Sequence, residues 1–175
     1  MMEYIWQYLF LLFNLSVIAY DFRFRRVPNQ LILVALAVQT VWMTIAAFGY
    51  FPDVRVVARW PEALTGLLVS LVLFYPLWRF RAVGAGDVKF IGILGFCIGL
   101  AGLLPTLLIG SILAAAHAMA LVLLQGWATA RAAWWQNADL RRGIPYAAYL
   151  AIGALAGVLW QALYDETWLQ TLASR

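Results

Sequence analysis

The chain has only eight acidic side chains for carboxylate chemistry, and two of them stand apart. Asp21 and Asp87 each abut an apolar segment, whereas most of the others lie in polar connections or near the ends. Two carboxylates that share a site cannot both ionise easily, so one keeps a proton while the other accepts one from water. That division of labour suits acid–base hydrolysis of a peptide bond without metal or covalent intermediate. Asp87 precedes an apolar helix, where the macrodipole favours a charge, and Asp21 follows one, at the unfavourable end. The expected roles are therefore Asp87 as base and Asp21 as acid, in a pair that titrates as a unit. Each also has a plainer reading. Asp87, after Gly84-Ala85-Gly86, could be a helix N-cap worth about 1 kcal/mol. Asp21 could be a loop charge screened by Arg23, Arg25 and Arg26.

Other chemistries find less support. The single histidine, His117, lies in the middle of an apolar segment with no evident carboxylate or serine partner, so interhelical hydrogen bonding is its expected role. The single cysteine, Cys97, excludes an internal disulfide and a CxxC metal site, and reads as a small packed side chain. No HExxH, P-loop or GxSxG motif occurs, and neither metal nor cofactor is expected.

The elements that must position the two aspartates are membrane helices. Of 175 residues, 65% are hydrophobic and 11% charged, where a water-facing domain carries roughly a quarter charged. Apolar segments run over 4–20, 30–48, 62–78, 88–103, 105–125 and 145–163, several of them near the 20 or so residues that a bilayer crossing requires. The expected fold is an all-α polytopic bundle of about six transmembrane helices. Nine Trp and eight Tyr suit interfacial aromatic belts. Between Lys89 and Arg131 no charge occurs, so Gly102 and Pro105 are the expected break between the fourth and fifth segments. Gly92, Gly95, Gly99 and Gly102 fall near one helix face, and Gly153 and Gly157 form a GxxxG, both suited to close helix packing.

The basic residues give orientation. With the first, third and fifth connections on one side, that side holds Arg23, Arg25, Arg26, Arg79, Arg81, Lys89, Arg131, Arg141 and Arg142, and the other only Arg55, Arg59 and Arg175. The richer side is then cytoplasmic and both termini lie outside. Asp21 and Asp87 share that cytoplasmic edge. The first segment reads as a retained helix rather than a cleaved signal, because Glu3 precedes it and the arginines follow. The arginines flank apolar segments and form no patch for nucleic acid.

Asp21-Phe22-Arg23-Phe24-Arg25-Arg26-Val27-Pro28-Asn29 resembles the first aspartate motif of the prepilin peptidases. Gly84-Ala85-Gly86-Asp87-Val88-Lys89 is similar to their second motif, GxGDxK, and Gly143-Ile144-Pro145-Tyr146 resembles the element that opens their last helix. The resemblance implies one membrane-embedded aspartic peptidase domain over residues 1–175. Its catalytic pair would be Asp21 and Asp87, with Gly84 and Gly86 shaping the loop that holds Asp87. Pro28 and Asn29 would set the start of the second helix, and Lys89 matches the motif lysine without an assigned role. The implied reaction is removal of the basic leader from type IV pilin-like precursors at the cytoplasmic face of the bacterial inner membrane. The chain lacks the cysteine-bearing region of the larger enzymes, so it resembles the peptidase-only branch that serves tight-adherence (Flp-type) pili, with Flp-type prepilins or pseudopilins as partners and no N-methylation expected. It departs from the family at Ala147, where glycine is frequent. Asp139 could meet the basic leader, or be a solvated loop charge.

Two other classes fit a small polytopic chain. An ion-coupled carrier would place its carboxylates near the midplane and show internal repeats; the chain shows no convincing repeat. A non-catalytic scaffold for pilus assembly would tolerate loss of either aspartate.

Overall fold

Residues that cannot continue a helix set the ends of the elements. The computed structural model describes residues 3–48, 59–128 and 144–164, and all its regular elements are α-helices. Helix α1 spans Glu3–Phe24, α2 Asn29–Ala47, α3 Trp60–Arg79, α4 Ala85–Ala128 and α5 Tyr146–Tyr164. Arg25 ends α1 in the left-handed region at φ 54°, its N–H bonded to the Asp21 carbonyl at 2.9 Å. This is the single-bond form of left-handed helix cap. Pro28 then precedes α2 in extended backbone and accepts the N–H groups of Leu31 and Ile32. Arg81, at φ 61°, ends α3, with the Arg81 N–H on the Trp78 carbonyl and the Ala82 N–H on the Leu77 carbonyl. That pair of bonds is a Schellman motif. The α1–α2 and α3–α4 connections are thus both entered through a tight helix cap, with arginine where glycine is usual.

Helices α1, α2, α3 and α4 each hold a stretch long and apolar enough to cross a membrane, while the apolar part of α5, Tyr146–Trp160, is shorter. Their outer faces carry large exposed apolar side chains such as Leu12, Leu33, Val72 and Leu108, as expected of lipid-facing surfaces.

The fourth and fifth apolar segments are one helical run with an interruption, and the break lies at Gly99, not at Gly102 or Pro105. Gly99 adopts φ 66°, ψ 179°, a conformation that only glycine occupies readily. The first arm begins at Ala85, three residues before the expected start, and the second follows Gly99. Trp6 stands at the level of Cys97 through Gln39, Phe13 at the level of Phe90, and Asp21 near Asp87, so the first arm runs antiparallel to α1. Along the second arm, Thr106 lies against Gly153, Gly110 against Leu150 and Ser111 against Tyr146. That arm therefore runs antiparallel to α5, whose start lies beside Asp21. The chain reverses direction at Gly99, and both arms point back to the site. Beside the reversal, the buried Gln39 amide donates to the Cys97 carbonyl at 3.5 Å.

Glycines permit the closest helix approach. A Cβ on Gly66 would strike the Gly95 carbonyl oxygen, and one on Gly95 would strike Gly66. The expected glycine face is therefore real at Gly92 and Gly95, which pack on α3. Gly99 makes the turn instead, and Gly102 faces Ile98 of its own helix. Gly153 does pack closely, against Thr106 and Gly110.

Candidate active site

Four helix ends meet at one place: the last turn of α1 and the first turns of α2, α4 and α5. Asp21 lies inside the last turn of α1 rather than after it, and is 5% exposed. Its carboxylate has no acceptor role within its own helix. It reaches across to α5, where the Ala148 N–H donates to Oδ2 at 2.9 Å.

The sequence of α5 explains this contact. The first N–H groups of a helix lack internal partners, and Ser, Thr, Asp or Asn at the N-cap usually supplies an acceptor. Pro145 occupies that position here and has none. Leaving a buried N–H unbonded costs about 1–3 kcal/mol. Asp21 supplies the missing cap from a helix 127 positions away in sequence. Asp21 has no cap to offer at the end of its own helix, and it caps α5 instead.

Asp87 occupies the third position of α4, not the N-cap. Its half-buried carboxylate reaches back to the N–H of Gly84, as the third residue of a capping box does. It also faces the N–H of Ala147, and so does Asp21. The two carboxylates are close enough to repel one another electrostatically, and the Arg25 guanidinium contributes a compensating charge at Asp21. The aspartates thus converge on the N-terminus of α5, whose dipole favours negative charge.

The neighbouring motif residues are drawn in as well. Pro28 stands at the N-cap position of α2 and Asn29 is its first residue. Lys89 Nζ donates to Asn29 Oδ1 at 2.9 Å, which ties the start of α4 to the start of α2. The two motif glycines differ. A Cβ on Gly84 would stand 2.9 Å from Asp87 Oδ2, whereas one on Gly86 would make ordinary contacts of 3.8–3.9 Å with Val27. Neither glycine has positive φ. Gly84 makes room for the carboxylate, whereas Gly86 stands beside Val27 with space for a Cβ.

His117 has a partner that its segment did not disclose: the Tyr149 hydroxyl, 2.6 Å from Nδ1. Cys97 is buried and lines a small apolar space with Trp6, Phe10 and Gln39. Asp139 and Gly143 lie outside the described residues. Reading the sequence missed Ala147 and Ala148, which act through backbone N–H groups. The available signal was an apolar helix start, Ile144-Pro145-Tyr146-Ala147-Ala148, with no side chain able to cap it. Both alanines are fully buried, so the departure from glycine at Ala147 is accommodated inside the packing.

The type IV leader peptidase family matches the chain over residues 8–119. That span includes both aspartates and runs from α1 into the second arm of α4, leaving α5 to be joined to the site by geometry. No curated protein and no solved structure matches the chain. The chain belongs to the type IV leader peptidase family.

Proposed function

We propose that this leader peptidase family member is an aspartic endopeptidase in which Asp21 and Asp87 activate water against a scissile peptide bond. The single observation that carries the reading is the Asp21 carboxylate seated on the Ala148 N–H at the start of α5, 2.9 Å away, with the Asp87 carboxylate beside it. Two acids placed together, one protonated and one ionised, can polarise a carbonyl and deprotonate a water in the same step. Each carboxylate meets a helix N-terminus, Asp87 that of its own helix and Asp21 that of α5, so position at a helix start does not single out the base. With Asp21 held by the Ala148 N–H, the two roles belong to the pair rather than to either residue.

The substrate is a pilin-like precursor, of Flp type on the peptidase-only resemblance. Such a precursor has a basic leader followed by an apolar helix, which would lie in the bilayer with its cleavage site at the membrane edge. The helix ends that gather around the aspartates suit that depth. The arginine bias supports a cytoplasmic face, both termini outside and six crossings, with the two arms of α4 counted separately. Residues 1–175 are read as one peptidase domain, and N-methylation is not part of the proposed activity.

The test is co-expression with a candidate precursor and measurement of its mass. Asp21→Asn and Asp87→Asn should each stop the shift to the mature mass while leaving the protein in the membrane fraction. Normal processing by either variant would favour the scaffold or the carrier.

A further inference from the structure

The first turn of α5 is held to the second arm of α4 by two hydroxyl contacts. Tyr149 Oη lies 2.6 Å from His117 Nδ1, and Tyr146 Oη lies 3.0 Å from Ser111 Oγ. Tyr146 and Tyr149 are three residues apart and so lie on neighbouring positions of one helix face. Between them lie Ala147 and Ala148, whose N–H groups face the aspartates. The Tyr149 ring also meets Phe22 edge-on at 5.9 Å between centroids, beside Asp21 on α1. It meets the His117 ring in the same manner at 5.5 Å. Tyr149 therefore touches the helix that carries one aspartate and the arm that returns from the other.

A helix start without its own cap needs an external hold. Neither Pro145 nor the alanines can supply one from their side chains, and the α5 N–H groups must keep their aim on two carboxylates that repel each other. A small displacement of such donors is costly to catalysis, because their value lies in preorganisation.

We infer that His117–Tyr149 and Ser111–Tyr146 are paired tethers that position the Ala147 and Ala148 N–H groups over the two aspartates. The four side chains are positioning residues, with His117 and Tyr149 the stronger tether by distance and burial. The consequence for catalysis rests on the peptidase reading above; the consequence for the backbone does not.

The experiment uses the full chain in detergent micelles and two readouts. Hydrogen exchange in the first turn of α5 is followed by mass spectrometry, and kcat and KM are measured on a precursor that the wild type cleaves. Tyr149→Phe keeps the ring and removes the hydroxyl. It should accelerate exchange in that turn and lower kcat about tenfold, as loss of one hydrogen bond of ordinary strength gives, with KM unchanged. His117→Ala should match it, and the double variant should be no worse than either alone, since both remove one contact. His117→Asn, whose Oδ1 can stand near the site of Nδ1, should recover most of both signals. Tyr146→Phe should act in the same direction and less. Unchanged exchange in the first turn of α5 on removing the His117–Tyr149 contact would overturn the inference, as would a KM effect without a kcat effect. Faster exchange in these variants, together with a wild type that cleaves no precursor, would leave the tethers standing and remove the peptidase reading instead.

Discussion

Between Val88 and Cys97 the first arm of α4 buries every residue except Lys89, while from Leu104 to Leu123 the second arm turns Leu104, Leu108, Ile112, Met119, Val122 and Leu123 outward. The two arms are written in nearly the same apolar alphabet. The first is enclosed by α1, α2 and α3, with Gly92 and Gly95 against α3 and Phe90 against Phe13. It delivers Asp87 at its start. The second has one side for α5 and the other for lipid, and it delivers no carboxylate to the site. Lipid is as apolar as a protein core, so burial in a membrane protein is not encoded by hydrophobicity. Glycine marks where backbones touch, as at Gly92 and Gly95, but the buried Phe90, Ile91 and Leu94 are as large as the leucines that face lipid.

That contrast can be broken by substitution. The largest effect is expected at Gly95. Gly95→Ala puts a methyl onto the Gly66 backbone and Ser70 Oγ, and should destabilise the folded bundle by about 1–3 kcal/mol, the usual cost of overpacking. Denaturation in mixed detergent micelles would measure it, and wild-type stability would mean that α3 and the first arm do not meet at this point. At Gly84 the effect should fall on activity. Gly84→Ala crowds Asp87 Oδ2 and should lower kcat about tenfold or more, the sensitivity expected for a misaligned catalytic group. Gly86→Ala, with ordinary contacts only, should keep both stability and rate. Equal loss from the two would show that loop conformation matters and not the space beside the carboxylate. The smallest effect belongs to the second arm's outer face. Leu108→Ala, at a position 63% exposed, should change stability by less than about 0.5 kcal/mol; a larger loss would mean that this face is covered.

The same contrast explains what could be read from the sequence. Asp21 and Asp87 were legible because charge is scarce beside apolar segments, and the helix ends between them were legible because arginine, proline and glycine interrupt the pattern. Gly99 was not. It is one glycine in a series of four at similar spacing, and which of them bends the chain depends on how the arms pack on α3 and α5. Pro105 was the stronger local signal, yet it is accommodated within the helical run. The Ala148 N–H was illegible for a different reason: alanine announces nothing, and the acceptor it meets lies 127 positions away. His117 was legible as a hydrogen-bonding group, but its partner Tyr149 required the reversal at Gly99 to be known first. Type and charge could be read without coordinates, whereas contacts of one backbone with another could not.

The central claim is that two carboxylates at one helix N-terminus act as a unit. It is tested most directly by single-turnover cleavage rates of Asp21→Asn, Asp87→Asn and the double variant on purified protein. Groups that act together lose nearly everything at the first removal. The expected result is that each single variant falls at least about a thousandfold, within the range for general acid–base catalysis, and the double variant falls no further. Either single variant retaining a tenth or so of the wild-type rate, or losses that multiply in the double variant, would contradict it.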